Sequence, residues 1–352
     1  MMYAIEDIKQ VHLEISSECN AACPKCPRNL CGYPHNDGYE EHAMTLVEAK
    51  HIFSPAFLRQ LRRILINGNF GDIVMNPDAL EIVEYFKQHM PRFSNISVST
   101  NGGAKDRMFW RKLGDLGVNV AFCIDGLADT HSIYRRNTLY STVIRNAEAF
   151  ISAGGHAIWK MIDFDHNRHQ QDQARTISTE MGFKEFQLID HGRNQGPIYD
   201  KDKNLVYVMG KPSNVDFNII FDHLANSTAV TNIGSYPLEI KNPIICQAVK
   251  SKSVYITSVG EVYPCCYLGF APKTFGHGSH NYINAVNTQL RPLILNNNAL
   301  EHTLEECITW FNNIEKTWDI PTYGEGRLIA CNNTCGGCKK ETLLPIKPLS
   351  NF

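Results

Sequence analysis

Three cysteines, Cys19, Cys23 and Cys26, stand three and then two residues apart in the stretch Ile15-Ser-Ser-Glu-Cys-Asn-Ala-Ala-Cys-Pro-Lys-Cys-Pro-Arg28. Thiolates are the protein ligands of iron–sulfur clusters, usually four to a cubane. A cubane held by three leaves one iron open to a ligand from outside the protein. A second set lies far along the chain: Cys246, Cys265 and the pair Cys335-Gly-Gly-Cys338. A hairpin with one thiol at each end, followed by C-x-x-C, can supply four ligands and close a second centre. Zinc competes for such sets, since its structural sites close with four Cys or His ligands.

Regular elements must bring these residues together. Val11-His-Leu-Glu-Ile15 alternates apolar and polar residues, the period of a half-buried strand, and Pro27, Gly32, Pro34 and Gly38 mark a long loop after it. Further strands are expected over 63–67, 96–99, 118–124, 157–162 and 185–189. Helices are expected over Thr45–Leu61, where Thr45 and Glu48 form a capping box, and over 77–90, 106–116, 142–153 and 167–181. Six strand–helix alternations imply parallel strands with right-handed crossovers, too few to close an eight-stranded barrel. In barrels of this kind chemistry gathers at the carboxyl ends of the strands. Those ends read Asn67-Gly68-Asn69-Phe70-Gly71-Asp72, then Ser99-Thr100-Asn101-Gly102, then Ile124-Asp125-Gly126, with Arg135 and Arg136 shortly after. Trp159, Lys160 and Met161 are candidates for the pocket wall, though Trp and Met are more often core. Asp165, His166 and His169 are read as an ordinary helix start and not as a metal site. From His191 to Asn242, glycines and prolines break the pattern, with one short amphipathic piece over 215–224. Val254–Thr257 and Glu261–Tyr263 read as a hairpin turned at Ser258-Val-Gly260.

The C-x-x-x-C-x-x-C motif after a first strand resembles the signature of the radical S-adenosylmethionine (SAM) family. The resemblance implies an α/β fold: a partial (β/α)6 TIM-type barrel over 1–190. A connecting segment, 191–242, and a small α+β domain with a β-hairpin, 243–352, follow it. It implies a 4Fe–4S cluster on Cys19, Cys23 and Cys26 whose open iron takes the amino and carboxylate groups of SAM. Reductive cleavage of SAM would give a 5′-deoxyadenosyl radical that abstracts hydrogen from an unactivated C–H bond. Asn67, Gly68, Asn69 and Asp72 stand where the family binds the SAM amino group, with Asn69 and Asp72 in place of the more usual Gly and Glu. Ser99, Thr100 and Asn101 match a Ser-Thr-Asn-Gly run near the methionine part, Asp125 the ribose segment, and Arg135 a carboxylate partner. Lys25 departs from the aromatic residue common before the third cysteine. The C-terminal part resembles the shortened, or twitch, form of the SPASM extension. That form holds one auxiliary 4Fe–4S cluster, here on Cys246, Cys265, Cys335 and Cys338, with Cys266 and Cys331 near enough in sequence to substitute. Phe311, Trp310 and Trp318 are candidates to shield it. Enzymes with this extension modify ribosomal peptides or oxidise small molecules such as aminosugar alcohols, and the peptide reading is preferred. Cys266 and then Cys31 are the candidate hydrogen-atom donors if the product is an epimer. Expected partners are the peptide or small-molecule substrate, an electron donor such as flavodoxin or ferredoxin, and a separate leader-peptide-binding protein. A non-catalytic iron–sulfur or zinc protein would leave the strand-end motifs without a role.

Composition narrows the setting. The chain has 352 residues, 43% hydrophobic and 20% charged, with a formal net charge of −2. That charge gives no field to recruit nucleic acid or an acidic membrane. No apolar run reaches the 18 residues of a spanning helix, and the first residues do not read as a signal peptide. Cysteines grouped as ligands point to a reducing compartment, the cytoplasm, and not to a disulfide framework.

Overall fold

The computed structural model describes residues 2–29, 32, 38–189, 196–209, 243–273 and 280–336, with the side chains of 280–284 excepted. Cys31, Cys338 and the amphipathic piece over 215–224 lie outside the described residues.

Six strands, β1 (Gln10–Leu13), β2 (Arg63–Ile66), β3 (Asn95–Thr100), β4 (Asn119–Cys123), β5 (His156–Ile162) and β6 (Glu185–Ile189), lie side by side in chain order, each parallel to the next. Their side chains sort by the two-residue period of a strand. Val11, Leu13, Ile64, Ile66, Ile96, Val98, Val120, Phe122, Trp159 and Met161 point to one face and are buried. That face packs on helices α3 (Ala79–His89), α4 (Arg107–Asp115) and α6 (Tyr140–Ser152), through Ile82, Phe86, Trp110, Leu113 and Phe150. Trp110 and Phe150 reach Phe122 with ring centroids 5.1 and 5.8 Å away. The other face carries His12, Ser97, Ser99, Cys123, Lys160 and Gln187, all partly exposed, with Cys123, Lys160 and Gln187 in register across β4, β5 and β6. A barrel wall that is apolar outside and polar inside leaves an interior fit for a polar ligand. Trp159 and Met161 therefore belong to the core, and only Lys160 of that trio faces inward.

The single helix expected over Thr45–Leu61 is two, α1 (Leu46–Ile52) and α2 (Pro55–Gln60). Pro55 has no N–H to continue α1, and Ser54 caps a fresh start by accepting from Phe57 N at 3.2 Å. The Thr45–Glu48 capping box is formed as expected. The expected start at 167 opens as a 3-10 turn, and helix α7 runs from Gln171 to Glu180. A short α5 (His131–Tyr134) precedes α6.

Two findings concern the later chain. The first is a small antiparallel hairpin, β7 (Gly196–Tyr199) and β8 (Leu205–Met209), inside the stretch read as a connection. It is seated on the cysteine loop and the β4–α6 region. Lys25 Nζ donates to Pro197 O at 3.4 Å, Arg136 to Tyr199 O at 3.1 Å, and Tyr207 OH to Ile133 O at 2.9 Å. The second is the expected C-terminal hairpin, β9 (Ser253–Ile256) and β10 (Val262–Tyr263). It does not stand apart: β9 pairs in parallel with β1, Val11 opposite Val254 and Leu13 opposite Ile256, giving one eight-stranded sheet in the order β10-β9-β1-β2-β3-β4-β5-β6. Among the described residues the sheet is open between β10 and β6. No helix among them is long and apolar enough to cross a membrane.

Candidate functional site

The cysteine loop leaves β1 at the carboxyl end of the sheet. Tight turns shape it: Cys26 N donates to Cys23 O at 3.0 Å and Asn29 N to Cys26 O at 2.9 Å. Cys23 is buried with Ala21, Tyr134, Ile162, Phe164, Ile198 and Met209, and Cys19 and Cys26 border the same cluster. Among the described residues no three His, Cys, Asp or Glu side chains are grouped around a single metal ion. The fit to an iron–sulfur cluster is tested by what meets the sulfurs. Cluster thiolates accept N–H hydrogen bonds, and here Ala21 N lies 3.4 Å and Asn101 Nδ2 3.6 Å from Cys19 Sγ, with Arg135 Nη1 3.7 Å from Cys23 Sγ. Backbone, amide and guanidinium donors around thiols in an apolar shell suit sulfur that carries charge. Burial pushes the Cys23 thiol up to about 11 despite Arg135, and raises Cys19 further. A metal would therefore have to displace protons on binding.

The strand ends converge on this loop. Asp72 is buried; its carboxylate accepts from Thr100 Oγ1 at 2.6 Å, Asn101 N at 2.7 Å and Asn101 Nδ2 at 2.8 Å. Asp125, fully buried, accepts from Ile162 N and from Arg135 Nε, each at 2.6 Å. Asn67 O meets His12 Nε2 at 2.6 Å, Asn69 Nδ2 donates to Cys266 O at 3.0 Å, and Ser99 Oγ lies 3.5 Å from Cys123 Sγ. Glycine is required at two points of the second strand end. A Cβ on Gly71 would lie 1.7 Å from Ser16 O, and one on Gly68 2.5 Å from Glu14 Oε1. Sequence reasoning missed Glu14, which is 1% exposed at the end of β1. Its Oε1 accepts from Phe70 N and Gly71 N at 2.8 Å each, and its Oε2 from Tyr255 OH at 2.6 Å. Burial raises its pKa. A carboxylate at an inward position next to the cysteine loop was the available signal.

Three thiols of the second set, Cys246, Cys265 and Cys335, lie near one another. Ile245 N donates to Cys335 O at 3.0 Å, and Ile244 bridges Gly336, which brings the segment before Cys246 against the end of helix Ile329–Cys335. The Cys246 thiol, donating a hydrogen bond to the Cys335 sulfur, is held above its ordinary range and Cys335 below. Burial, with Cys266 and Cys335 nearby, pushes Cys265 up to about 12. Cys331, one helical turn before Cys335, is buried and raised, with Cys265 and Cys335 both in electrostatic reach. Trp318 also adjoins Cys331. Trp310 and Phe311 are buried, and Trp310 meets Tyr263 edge to face at 5.9 Å. Cys266 is raised to about 12 by burial and lies in electrostatic reach of Glu14. All ten described cysteines are free of disulfides. Elsewhere, Asp165 pairs with Arg168 and His166 stacks on Phe164 at 5.0 Å. Phe164 and His166 line, with Arg136 and Tyr207, a cleft of about 540 Å³ beside β8.

No protein-family profile and no curated protein matches the sequence. Solved structures do match in fold. Streptococcus suis SuiB bound to S-adenosylmethionine aligns with TM-score 0.52 at 15% identity, over 91% of this chain and 68% of that one. SuiB bound to precursor peptide SuiA aligns with TM-score 0.53 at 13% identity, over 91% and 66%. The protein anSMEcpe with bound AdoMet aligns with TM-score 0.51 at 16% identity, over 88% and 80%. The chain carries the fold of SuiB and anSMEcpe, each of which has been solved with S-adenosylmethionine bound.

Proposed function

We propose that the chain is a radical SAM enzyme acting on a peptide. One observation carries the reading: thiols spaced C-x-x-x-C-x-x-C stand at the carboxyl end of a parallel sheet, with N–H donors on the sulfurs of Cys19 and Cys23 from Asn101 at the end of β3 and Arg135 at the end of α5. Cys19, Cys23 and Cys26 would hold a 4Fe–4S cluster by three ligands. The chemistry such a cluster would supply when bound is one-electron reductive cleavage of SAM to methionine and a 5′-deoxyadenosyl radical able to abstract substrate hydrogen. Asn67, Gly68, Asn69, Asp72, Ser99, Thr100, Asn101, Asp125 and Arg135 form the shell in which SAM would sit. Cys246, Cys265, Cys335 and Cys338 would hold the auxiliary cluster, fully ligated, as an electron carrier. If the product is an epimer, Cys266, which lies in electrostatic reach of Glu14 and adjoins Cys265, is the preferred hydrogen-atom donor. The peptide reading is supported by the SuiB complex with its precursor peptide and by the sheet, which among the described residues is open between β10 and β6. A flavodoxin or ferredoxin would supply the electron.

After anaerobic reconstitution the protein should hold about eight irons, four per cubane, and form 5′-deoxyadenosine from SAM on reduction. With Cys19, Cys23 and Cys26 all changed to Ala, about half the iron should remain and SAM cleavage should stop. Cleavage by that variant sinks the assignment. A product two hydrogens lighter than a small-molecule substrate would replace the peptide reading by an oxidation.

A further inference from the structure

Two buried carboxylates of the site are turned toward the protein and not outward. Asp72 and Asp125 are 7% and 0% exposed, and each spends its oxygens on the end of another element. Asp72 takes the Thr100 hydroxyl and both the backbone and side-chain N–H of Asn101. The Asn101 amide is thereby fixed in rotation, because its oxygen also accepts from Gly103 N at 2.7 Å. One of its two amide hydrogens goes to Asp72, and the other is shared between Asn20 Oδ1 at 3.0 Å and Cys19 Sγ at 3.6 Å. The second arrangement repeats the first with different residues. Asp125 is anchored by Ile162 N and grips Arg135 Nε, so that Arg135 Nη1 faces Cys23 Sγ at 3.7 Å. The Arg135 guanidinium also lies over the Tyr134 ring, 5.4 Å from its centre. In each case a carboxylate holds a donor and the donor meets a ligand sulfur.

We propose that Asp72 with Asn101, and Asp125 with Arg135, are paired positioning groups that raise and fix the reduction potential of the cluster held by Cys19, Cys23 and Cys26. The proposal rests on the functional reading above and deepens it. Reduction adds one negative charge to the cluster, and part of it resides on the sulfurs. N–H donors aimed at the sulfurs stabilise the reduced form more than the oxidised one, so they raise the potential. A donor already held in place costs no reorganisation when the charge arrives. Asn101 and Arg135 supply the N–H groups, and the carboxylates set their aim.

The test is a redox titration of the reconstituted protein without SAM, followed by electron paramagnetic resonance, alongside iron analysis. In Asn101→Ala the reduced-to-oxidised ratio at a fixed potential should fall about tenfold, which is 59 mV for one electron, and Arg135→Gln should fall at least as far. Asp72→Ala separates positioning from simple charge. Loss of a nearby negative charge alone would raise the potential, whereas loss of the hold on Asn101 lowers it. A fall supports the proposal, and a rise or no change overturns it. Where a variant does not retain the cluster, wild-type protein in deuterated water provides a second measurement. Pulsed resonance of its reduced cluster should show couplings to exchangeable deuterons of the amide and guanidinium, and their absence overturns the proposal. Wild-type protein that takes up no cluster overturns the functional reading itself, whereas a cluster insensitive to all these changes overturns this proposal alone.

Discussion

At the scale of single residues, the site is defined by what its neighbours leave no room for. The clash of a Gly71 Cβ with Ser16 O is with backbone, which cannot swing aside as a side chain could. Overpacking of this kind costs about 1–3 kcal/mol, and since Ser16 leads into the cysteine loop, Gly71→Ala should lower both the denaturant midpoint and the iron retained. His131 sets a pH dependence. It is fully buried, its Nε2 meets Thr138 Oγ1 at 3.0 Å and its Nδ1 has no partner among the described residues. Burial lowers its pKa to about 4. An unfolded histidine titrates near 6.5, so below that value the unfolded chain binds a proton that the folded chain refuses. Stability should therefore fall as pH drops from about 6.5 to 4, and the loss should stop below both values. Glu14 and Asp72, raised by burial, act in the opposite sense over the carboxylate range. Denaturation curves at pH 7.5 and 5 for the wild type and His131→Gln isolate the histidine: the variant should show the smaller pH dependence.

At the scale of elements, the β9–β10 hairpin is tied to the barrel by one buried side-chain bond as well as by its ladder. Tyr255 OH donates to Glu14 Oε2, and the other oxygen of Glu14 organises Phe70 and Gly71. In Tyr255→Phe, Glu14 loses a partner where water does not reach, a loss of about 1–3 kcal/mol. The loss should appear in urea denaturation, and because Phe keeps the ring it reports the hydroxyl alone. Helix α1 gives a simpler case. Its capping box satisfies two free N–H groups, and Thr45→Ala should cost about 1 kcal/mol. Thr45 is exposed and far from the thiols in sequence, so iron content should stay unchanged while the denaturation midpoint falls.

At the scale of the whole molecule, the C-terminal part completes the barrel's sheet. Strand β1 is covered on one edge by β2 and on the other by β9, and Tyr3 OH donates to Ser253 O at 2.5 Å. A chain ending at residue 242 would expose the β9-facing edge of β1 and uncover part of the core around it. Such edges pair with other chains. The 1–242 fragment should aggregate, whereas the full chain should unfold with the two regions melting together. Size-exclusion chromatography of the fragment and coincident melting of the full chain by two probes are the measurements. A soluble, monomeric 1–242 fragment would show that the two regions fold independently.

The thiol spacing, the six alternating units and the strand-end motifs were legible in the amino-acid order because each is local: a period, a cap, a turn or a short ligand spacing. The hairpin from Val254 to Tyr263 was legible for the same reason. Three features were decided only by tertiary structure, and a fourth was local but masked. The parallel pairing of β9 with β1 joins residues 10–13 to 253–256, and no local pattern specifies which strand fills an edge. The break at Pro55 was written in the sequence, but the apolar period on both sides of it concealed the new cap at Ser54. Glu14 became a buried anchor because Gly68 leaves room for its carboxylate, Gly71 offers its N–H, and Tyr255 arrives from the far end of the chain. Asp72 and Asp125 have the right type and place to be cofactor contacts. Their carboxylates turn toward Asn101 and Arg135, because an acid buried at a strand end is held by whichever donors the neighbouring strands bring to it. The sequence determined which residues could do chemistry, since ligand type and spacing are local properties; the folded sheet decided which of them face one another.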